Sequence, residues 1–438
     1  MANFLTLDSN TLKDFQEKLK VKYEGFKNQN LKLDMSRGKP CPEQLDLSNG
    51  LLYSLHGDFK AEDGTDCRNY GGVEGLPEAR RLFAACLEVQ PEEIIINGNS
   101  SLALMHDLIA RALLFGVDGH ERPWGERPVT FLCPSPGYDR HFALCEFFNI
   151  HMIPVKLDQN GPDMEQVEKL VAENESIKGI WCVPRYSNPT GITYSDQVVT
   201  RLASMKTKAK DFRIFWDNAY ALHHLTEQPD PLKNILQTCK EVGNPDRVYI
   251  FSSTSKISFA GAGLAMVASS ENNINRLKKQ LSIQTIGPDK VNQLSHVRFY
   301  KNYQNIQLQM RKHAAIIRPK FSLVLNILQS ELGNKNIATW SKPNGGYFIS
   351  LNTMEGCAKR VVQMAAEAGV ILTKAGATFP YGKDPYDQNI RIAPTYPPLN
   401  ELKTAMELVT ICLQQASIEK ILRERTIWEH EVKEAQIV

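Results

Sequence analysis

Between about residue 91 and residue 270 the chain alternates short apolar runs with longer stretches in which apolar residues recur every three or four positions. The runs are 93–96, 129–132, 152–155, 179–183, 212–216, 248–251 and 264–267, each closed within three residues by Pro, Ser, Asn or Asp. Runs that are apolar at nearly every position, without strict alternation, predict strands buried on both faces. Helical patterns such as 102–114 and 163–172 lie between several of them and are long enough to cross over, so the repetition predicts a mostly parallel sheet covered by helices on both faces. After Asp289 the texture changes. Up to about Leu332 the chain holds one proline, Pro319, with apolar residues at helical spacing, which predicts one or two long helices linking two lobes. From Ala338 a hairpin-like segment, 343–348, and amphipathic patterns at 358–368 and 399–416 predict a smaller α+β lobe. The segment 116–127 reads as a surface loop, and the charged tail after Ile418 as a solvated helix.

Composition narrows the function classes. At 438 residues the chain is long enough for two or three domains. With 51 Lys and Arg against 49 Asp and Glu, the net charge of +2 gives no field of the kind that gathers nucleic acid. Hydrophobic residues at 42% and charged residues at 23% fit an ordinary globular core. No apolar stretch is long enough to span a bilayer, and residues 1–8 lack the basic and apolar regions of a signal peptide. The nine cysteines form no CxxC pair and are odd in number, which points to reduced thiols and a cytoplasmic location.

In an open parallel sheet ligands gather beyond the carboxyl ends of the strands, so residues there are the candidates for chemistry. After 93–96 comes Gly98-Asn99-Ser100-Ser101 leading into a helix; such a turn suits a phosphate, although a serine there also serves as a plain cap. After 179–183 comes Asn188-Pro189-Thr190-Gly191, and after 212–216 comes Asp217-Asn218-Ala219-Tyr220. A carboxylate at the end of an apolar strand needs a partner. After 248–251 comes Ser253-Thr254-Ser255-Lys256, where a lysine among small polar residues has the setting of a covalent, Schiff-base-forming nucleophile. His223 and His224 lack a carboxylate at ligand spacing, so no metal is expected. Arg140 and His141 read as helix-face residues.

Taken in order, these segments, with Tyr70-Gly71-Gly72, Pro136-Gly137-Tyr138 and Asn389-Ile390-Arg391, resemble the fold type I aminotransferases of class I/II that use pyridoxal 5′-phosphate. The similarity covers most of the chain, and Met35-Ser36-Arg37-Gly38-Lys39-Pro40 adds a likeness to a bacterial aspartate aminotransferase-like subgroup. The resemblance implies a three-layer α/β large domain at 56–309 with a mostly parallel sheet. It implies a smaller α+β domain from both chain ends, with 1–55 supplying the N-terminal arm and 310–438 the rest. It further implies that Lys256 holds the cofactor and moves protons, that Asp217 keeps the pyridine nitrogen protonated, and that Asn188 and Tyr220 bond the phenolic oxygen. Tyr138 is implied to stack on the ring, with Asn99, Ser100, Ser101 and Ser253 holding the phosphate. Tyr70 is implied to reach the phosphate of a neighbouring subunit in a homodimer with shared sites.

For the substrate, Arg391 matches the arginine that takes the α-carboxylate, and Gly38 lets the backbone approach the same group. One departure stands out: the phosphate-binding arginine common eight residues beyond the lysine is Leu264 here. A dicarboxylic substrate requires a second cation; the candidates are Arg37, Arg140, Arg185 and Lys374, with Arg37 favoured beside Gly38. The implied activity is transfer of an amino group from an L-amino acid, aspartate or glutamate, to a 2-oxo acid such as 2-oxoglutarate. The alternatives are an aromatic or aliphatic donor, or a lyase or decarboxylase on the same fold. Neither nucleic acid nor membrane is expected as a partner.

Overall fold

The computed structural model describes residues 3–117 and 122–435. Two units divide the chain. One comprises Lys39–Ile316 and Asn344–Gly346, the other Met1–Gly38, Ile317–Pro343 and Tyr347–Val438; the sequence reading drew its limits at 56 and 309.

The larger unit is built on an eight-stranded sheet. In spatial order its strands are Ile94–Ile96, Ala265–Ala268, Val248–Ser253, Arg213–Asp217, Ile177–Cys182, Thr130–Ser135, His151–Asp158 and Gly161–Pro162. The five from Val248–Ser253 to His151–Asp158 pair in parallel, while Ala265–Ala268 runs antiparallel to both neighbours and Gly161–Pro162, at the edge, antiparallel to His151–Asp158. All seven apolar runs fall in this sheet. Both faces are buried, as a parallel sheet requires. Ile180, Ile214 and Trp216 pack into one apolar cluster and Trp181, Phe131 and Phe215 into the other. The crossover patterns are the helices Ser101–Phe115 and Met164–Glu173, each capped by a polar side chain, Ser100 and Asp163.

The stretch after Asp289 forms two helices, Lys290–Tyr300 and Tyr303–Leu332, separated at Lys301, where φ is 64°. Between the smaller unit's strands Ala338–Trp340 and Ile349–Thr353, the tip Asn344–Gly346 counts with the larger unit: Leu225 N–H donates to Asn344 O and Gly346 N–H to His223 O, both at 2.8 Å.

The smaller unit joins the two chain ends. Leu33–Asp34 pairs in parallel with Val370–Ile371, and Ala338–Trp340, Ile349–Thr353 and Asn389–Ile392 form an antiparallel sheet. The helices Ser9–Lys27, Ala358–Glu367 and Leu399–Ala435 complete it. Two sequence expectations need correction. The charged tail is not merely solvated: it continues the last helix, Ile418 and Ile421 are buried, and Arg425 donates to Leu7 O at 2.6 Å and Leu5 O at 3.1 Å. The 116–127 segment, of which 118–121 lie outside the described residues, is not simply a surface loop. Trp124 within it is buried and its Nε1 donates to Asp211 Oδ2 at 2.9 Å. No described helix is long and apolar enough to cross a membrane.

Candidate active site

Five strand ends of the larger unit deliver the polar residues singled out above. The Arg213–Asp217 strand ends in Asp217, 4% exposed, whose register partner on the next strand is Phe251. Asp217 Oδ2 lies 3.0 Å from His141 Nε2. The other oxygen, Oδ1, is buried with no hydrogen-bond partner among the described residues. Buried polar atoms rarely stay unmatched, so this one points to a donor that the chain alone does not supply.

His141 corrects its reading as a helix-face residue. The helix Asp139–Phe147 turns it inward, fully buried, with its ring stacked on Trp181 at 4.2 Å and 8°. Tyr138, one turn earlier, meets the His141 ring edge-on at 4.9 Å. A signal was present in the sequence: the Tyr138-x-x-His141 spacing puts both on one helix face, and Phe142, Leu144 and Cys145 mark that helix as inward-facing.

Lys256 follows the Val248–Ser253 strand. It is partly buried, with Nζ 5.2 Å from the centroid of the Tyr220 ring. Burial pulls its pKa below the ordinary amine value, and the negative charge of Asp217 opposes that shift. Tyr220 and Asn188 are both buried, Tyr220 just beyond Asp217 and Asn188 in the turn after the Ile177–Cys182 strand, where Gly191 N–H donates to Ser187 O at 2.7 Å.

The small polar residues cluster. Asn97 N–H donates to Ala265 O and Ala265 N–H to Gly98 O, which ties the 97–101 turn to the glycine-rich segment. Asn99 Nδ2 donates to Gly261 O at 3.0 Å, Ser253 Oγ to Ser255 Oγ at 2.9 Å, and Ser255 Oγ to Asn99 O at 3.5 Å. Ser255 is a member that the sequence reading passed over. Gly98 has φ +67°, which a side chain would disfavour. Ser100 caps its helix by accepting from Ala103 N–H at 3.4 Å, and Ser101 opens that helix. Leu264 is buried in the core, where its N–H donates to Thr254 Oγ1, and the cleft of about 530 Å³ beside Asn99 and Gly261 has no cationic side chain among its lining residues. Tyr70 is not drawn into this cluster; it is 79% exposed, next to Gly71, whose N–H donates to Ile286 O.

In the smaller unit, Arg391 is buried on the Asn389–Ile392 strand, its guanidinium 4.9 Å from the Phe348 ring centroid and Nε 3.3 Å from Thr373 Oγ1. Thr373 in turn donates to Ser36 O at 2.8 Å. A Cβ on Gly38 would lie 2.4 Å from Phe348 Cζ, so only glycine fits there. Gly38, Phe348, Thr373 and Arg391 thus form one packed group. Arg37, Lys374 and, in the larger unit, Arg140 are exposed, whereas Arg185 donates to Ala221 O at 2.8 Å. Among the described residues no group of three His, Cys, Asp or Glu side chains is placed to hold a metal ion.

The profile of the aspartate amino-transferase family matches residues 7–425. A protein of Mycolicibacterium smegmatis named putative aminotransferase is 50% identical over 408 residues, 92% of this chain and 95% of its own. The aspartate aminotransferase of Corynebacterium glutamicum is 44% identical over 429 residues, 96% of this chain and 99% of its own. A crystal structure of an aspartate transaminase from that organism superposes with a TM-score of 0.93 at 44% identity, covering 96% and 99% of the two chains. An α-aminoadipate aminotransferase of Thermus thermophilus, at 20% identity, shares the fold with a TM-score of 0.71 over 88% and 92% of the chains. A mostly parallel sheet that brings Lys256, Asp217 and Asn188 to its strand ends, and near-complete coverage by these relatives, make this fold type I aminotransferase a member of the aspartate aminotransferase family.

Proposed function

We propose that the chain holds pyridoxal 5′-phosphate on Lys256 and transfers an amino group from aspartate or glutamate to a 2-oxo acid, as a cytoplasmic homodimer. The unmatched Asp217 Oδ1 carries this reading. A buried carboxylate oxygen with no partner fits a protonated ring nitrogen, while His141 occupies the other oxygen. Bound there, the cofactor supplies an electron-accepting ring that stabilises negative charge at the amino acid's Cα. Asp217 keeps the proton on the ring nitrogen. Lys256 carries the proton to and from Cα, and its lowered pKa leaves more of its amine uncharged and able to accept it. Asn188 and Tyr220 donate to the phenolic oxygen and Tyr138 covers the ring. Asn99, Ser100, Ser101 and Ser253, with the N-terminal end of the helix they open, take the phosphate without the arginine that Leu264 replaces.

Arg391 pairs its planar fork with the α-carboxylate of the donor, beside Gly38, and Arg37 takes the distal carboxylate. Aspartate as donor is supported by the name of the relative at 44% identity. Tyr70, Ile283 and Ile286, exposed by 79%, 88% and 65%, support a second copy covering this face, with Tyr70 reaching its partner's phosphate. The nine cysteines are thiols, all but Cys86 buried, which supports a reducing compartment. The test is a donor screen of the purified chain after addition of pyridoxal phosphate. Expected are a visible absorbance band that Lys256→Ala lacks, and turnover that needs a 2-oxo acid acceptor. Arg37→Ala is expected to weaken dicarboxylic donors far more than monocarboxylic ones. Full turnover in Lys256→Ala, or product formed without an acceptor, would reject the reading.

A further inference from the structure

Lys256 stands in the turn 254–258, closed by Ile257 N–H and Ser258 N–H, which both donate to Thr254 O, at 2.9 and 2.8 Å. Three buried histidines from three separate elements meet three consecutive residues of that turn. His223, 3% exposed, follows the Arg213–Asp217 strand and sets Nε2 at 3.3 Å from Lys256 O. His313, 2% exposed on the helix Tyr303–Leu332, sets Nε2 at 3.1 Å from Ile257 O. His296, fully buried on the helix Lys290–Tyr300, sets Nε2 at 2.8 Å from Ser258 Oγ.

The partners dictate where the hydrogens sit. A carbonyl only accepts, so His223 and His313 donate from Nε2. His313 Nδ1 then accepts from Gln44 Nε2 at 3.1 Å, and Gln44 Oε1 is itself fixed by Cys41 N–H at 3.2 Å. In His296 the order is reversed: Nδ1 faces Asn292 O at 2.8 Å and must donate, so Nε2 accepts from the Ser258 hydroxyl. Thr254 Oγ1, 2.9 Å from Ser258 Oγ, accepts from Leu264 N–H at 2.8 Å. Tyr300 Oη and Ser48 Oγ add weaker donors to Ile257 O, at 3.3 and 3.4 Å. The pattern at His313 requires a neutral ring, and burial keeps His296 and His313 neutral alike. It holds both near a pKa of about 4 and His223 well below its ordinary value, where the charge of Lys256 adds to the shift.

We propose that His223, His296 and His313 are positioning residues for Lys256, fixing through two carbonyls and one hydroxyl the backbone from which its amine projects. This rests on Lys256 being the amine of the proposed reaction. A lysine side chain is a flexible four-carbon stem, so where its amine arrives depends on how firmly its root is held. Reacting groups misplaced by about 1 Å lose on the order of 100-fold in rate. None of the three rings is assigned a role in proton transfer.

The test uses the full chain with pyridoxal phosphate added. His313→Ala and His296→Ala are expected to lower kcat about tenfold with KM for the amino donor within about twofold, the pattern of lost alignment at unchanged binding. The rise of visible absorbance on adding cofactor is expected to slow by a similar factor. His313→Gln and His296→Gln keep a polar atom at the place of Nε2 and are expected to recover most of both rates. Wild-type rates in both alanine variants, or equal losses in the alanine and glutamine variants, would overturn the inference. Where an alanine variant does not fold, His313→Asn, too short to reach Ile257 O, is compared with His313→Gln, and equal kcat in those two would overturn it. Lys256→Ala is measured alongside. Turnover that survives it removes the lysine assignment and this inference together, whereas silent histidine variants beside an inactive Lys256→Ala remove the inference alone.

Discussion

Replacing His141 by leucine isolates what its hydrogen bond contributes to Asp217. The change puts an apolar side chain of similar bulk in its place, and it removes the one hydrogen bond that the described residues make to the Asp217 carboxylate, whose Oδ1 has none among them. Taking one partner from a buried polar group costs about 1–3 kcal/mol, and losing the stacked contact with Trp181 at 4.2 Å about 0.5–1.5 kcal/mol more. The expected total is about 2–4 kcal/mol, a large share of a stability that for most proteins is about 5–15 kcal/mol. Urea unfolding of the cofactor-free chain reads this as a lower midpoint at constant slope. A double-mutant cycle separates the two parts. In an Asp217→Ala background, where no hydrogen-bonding atom remains opposite His141, His141→Leu is expected to lose only the stacking share, about 1 kcal/mol. Equal losses in the two backgrounds would refute the assignment of His141 to Asp217. On the proposed role of Asp217 at the ring nitrogen, the same substitution in the loaded enzyme is expected to shift the visible band and lower kcat.

Two further outcomes follow from the geometry. His296 and His313 have folded pKa values of about 4 against 6.5 in an unfolded chain, so between those limits the unfolded chain binds protons that the folded one does not. Stability therefore falls as pH drops from 6.5 to 4, at about 1.4 kcal/mol per pH unit for each histidine, and His296→Gln or His313→Gln is expected to flatten that slope relative to wild type in urea titrations; parallel slopes would refute it. Gly38→Ala places a Cβ 2.4 Å from Phe348, which must move and disturb its contact with Arg391, so a loss of about 1–3 kcal/mol and a raised KM for the amino donor are expected, and a variant with wild-type stability and KM would refute this.

The sheet was legible because strands buried on both faces leave an unbroken mark. Runs such as 248–251 are apolar throughout and stop where turn residues begin. Strand ends carry the ligands of such a sheet, so Asp217 and Lys256 could be picked out by position. What stayed hidden depends on contacts that carry no local pattern. His313 meets the carbonyl of Ile257 across 56 positions of chain, and a backbone acceptor has no residue signature. Trp124 looked like loop because Gly and Pro surround it, and only its contact with Asp211, 87 positions on, shows that the segment folds inward. Ser255 stands inside the quoted motif, yet its contact with the carbonyl of Asn99, 156 positions away, leaves no local mark.

The pairing of the first and last helices also has a consequence during synthesis. The helix Ser9–Lys27 keeps Leu12, Leu19 and Tyr23 buried, and Tyr23 Oη donates to Met364 O at 3.0 Å, while Arg425 holds the carbonyls of Leu5 and Leu7. Those partners leave the ribosome some 330 to 420 residues after the segment that needs them, about 20–80 s at ordinary elongation rates. Residues 39–316 are complete well before then. The nascent N-terminal helix therefore waits with its apolar stripe uncovered while most of the larger unit is already made, which exposes it to chaperones and to premature association.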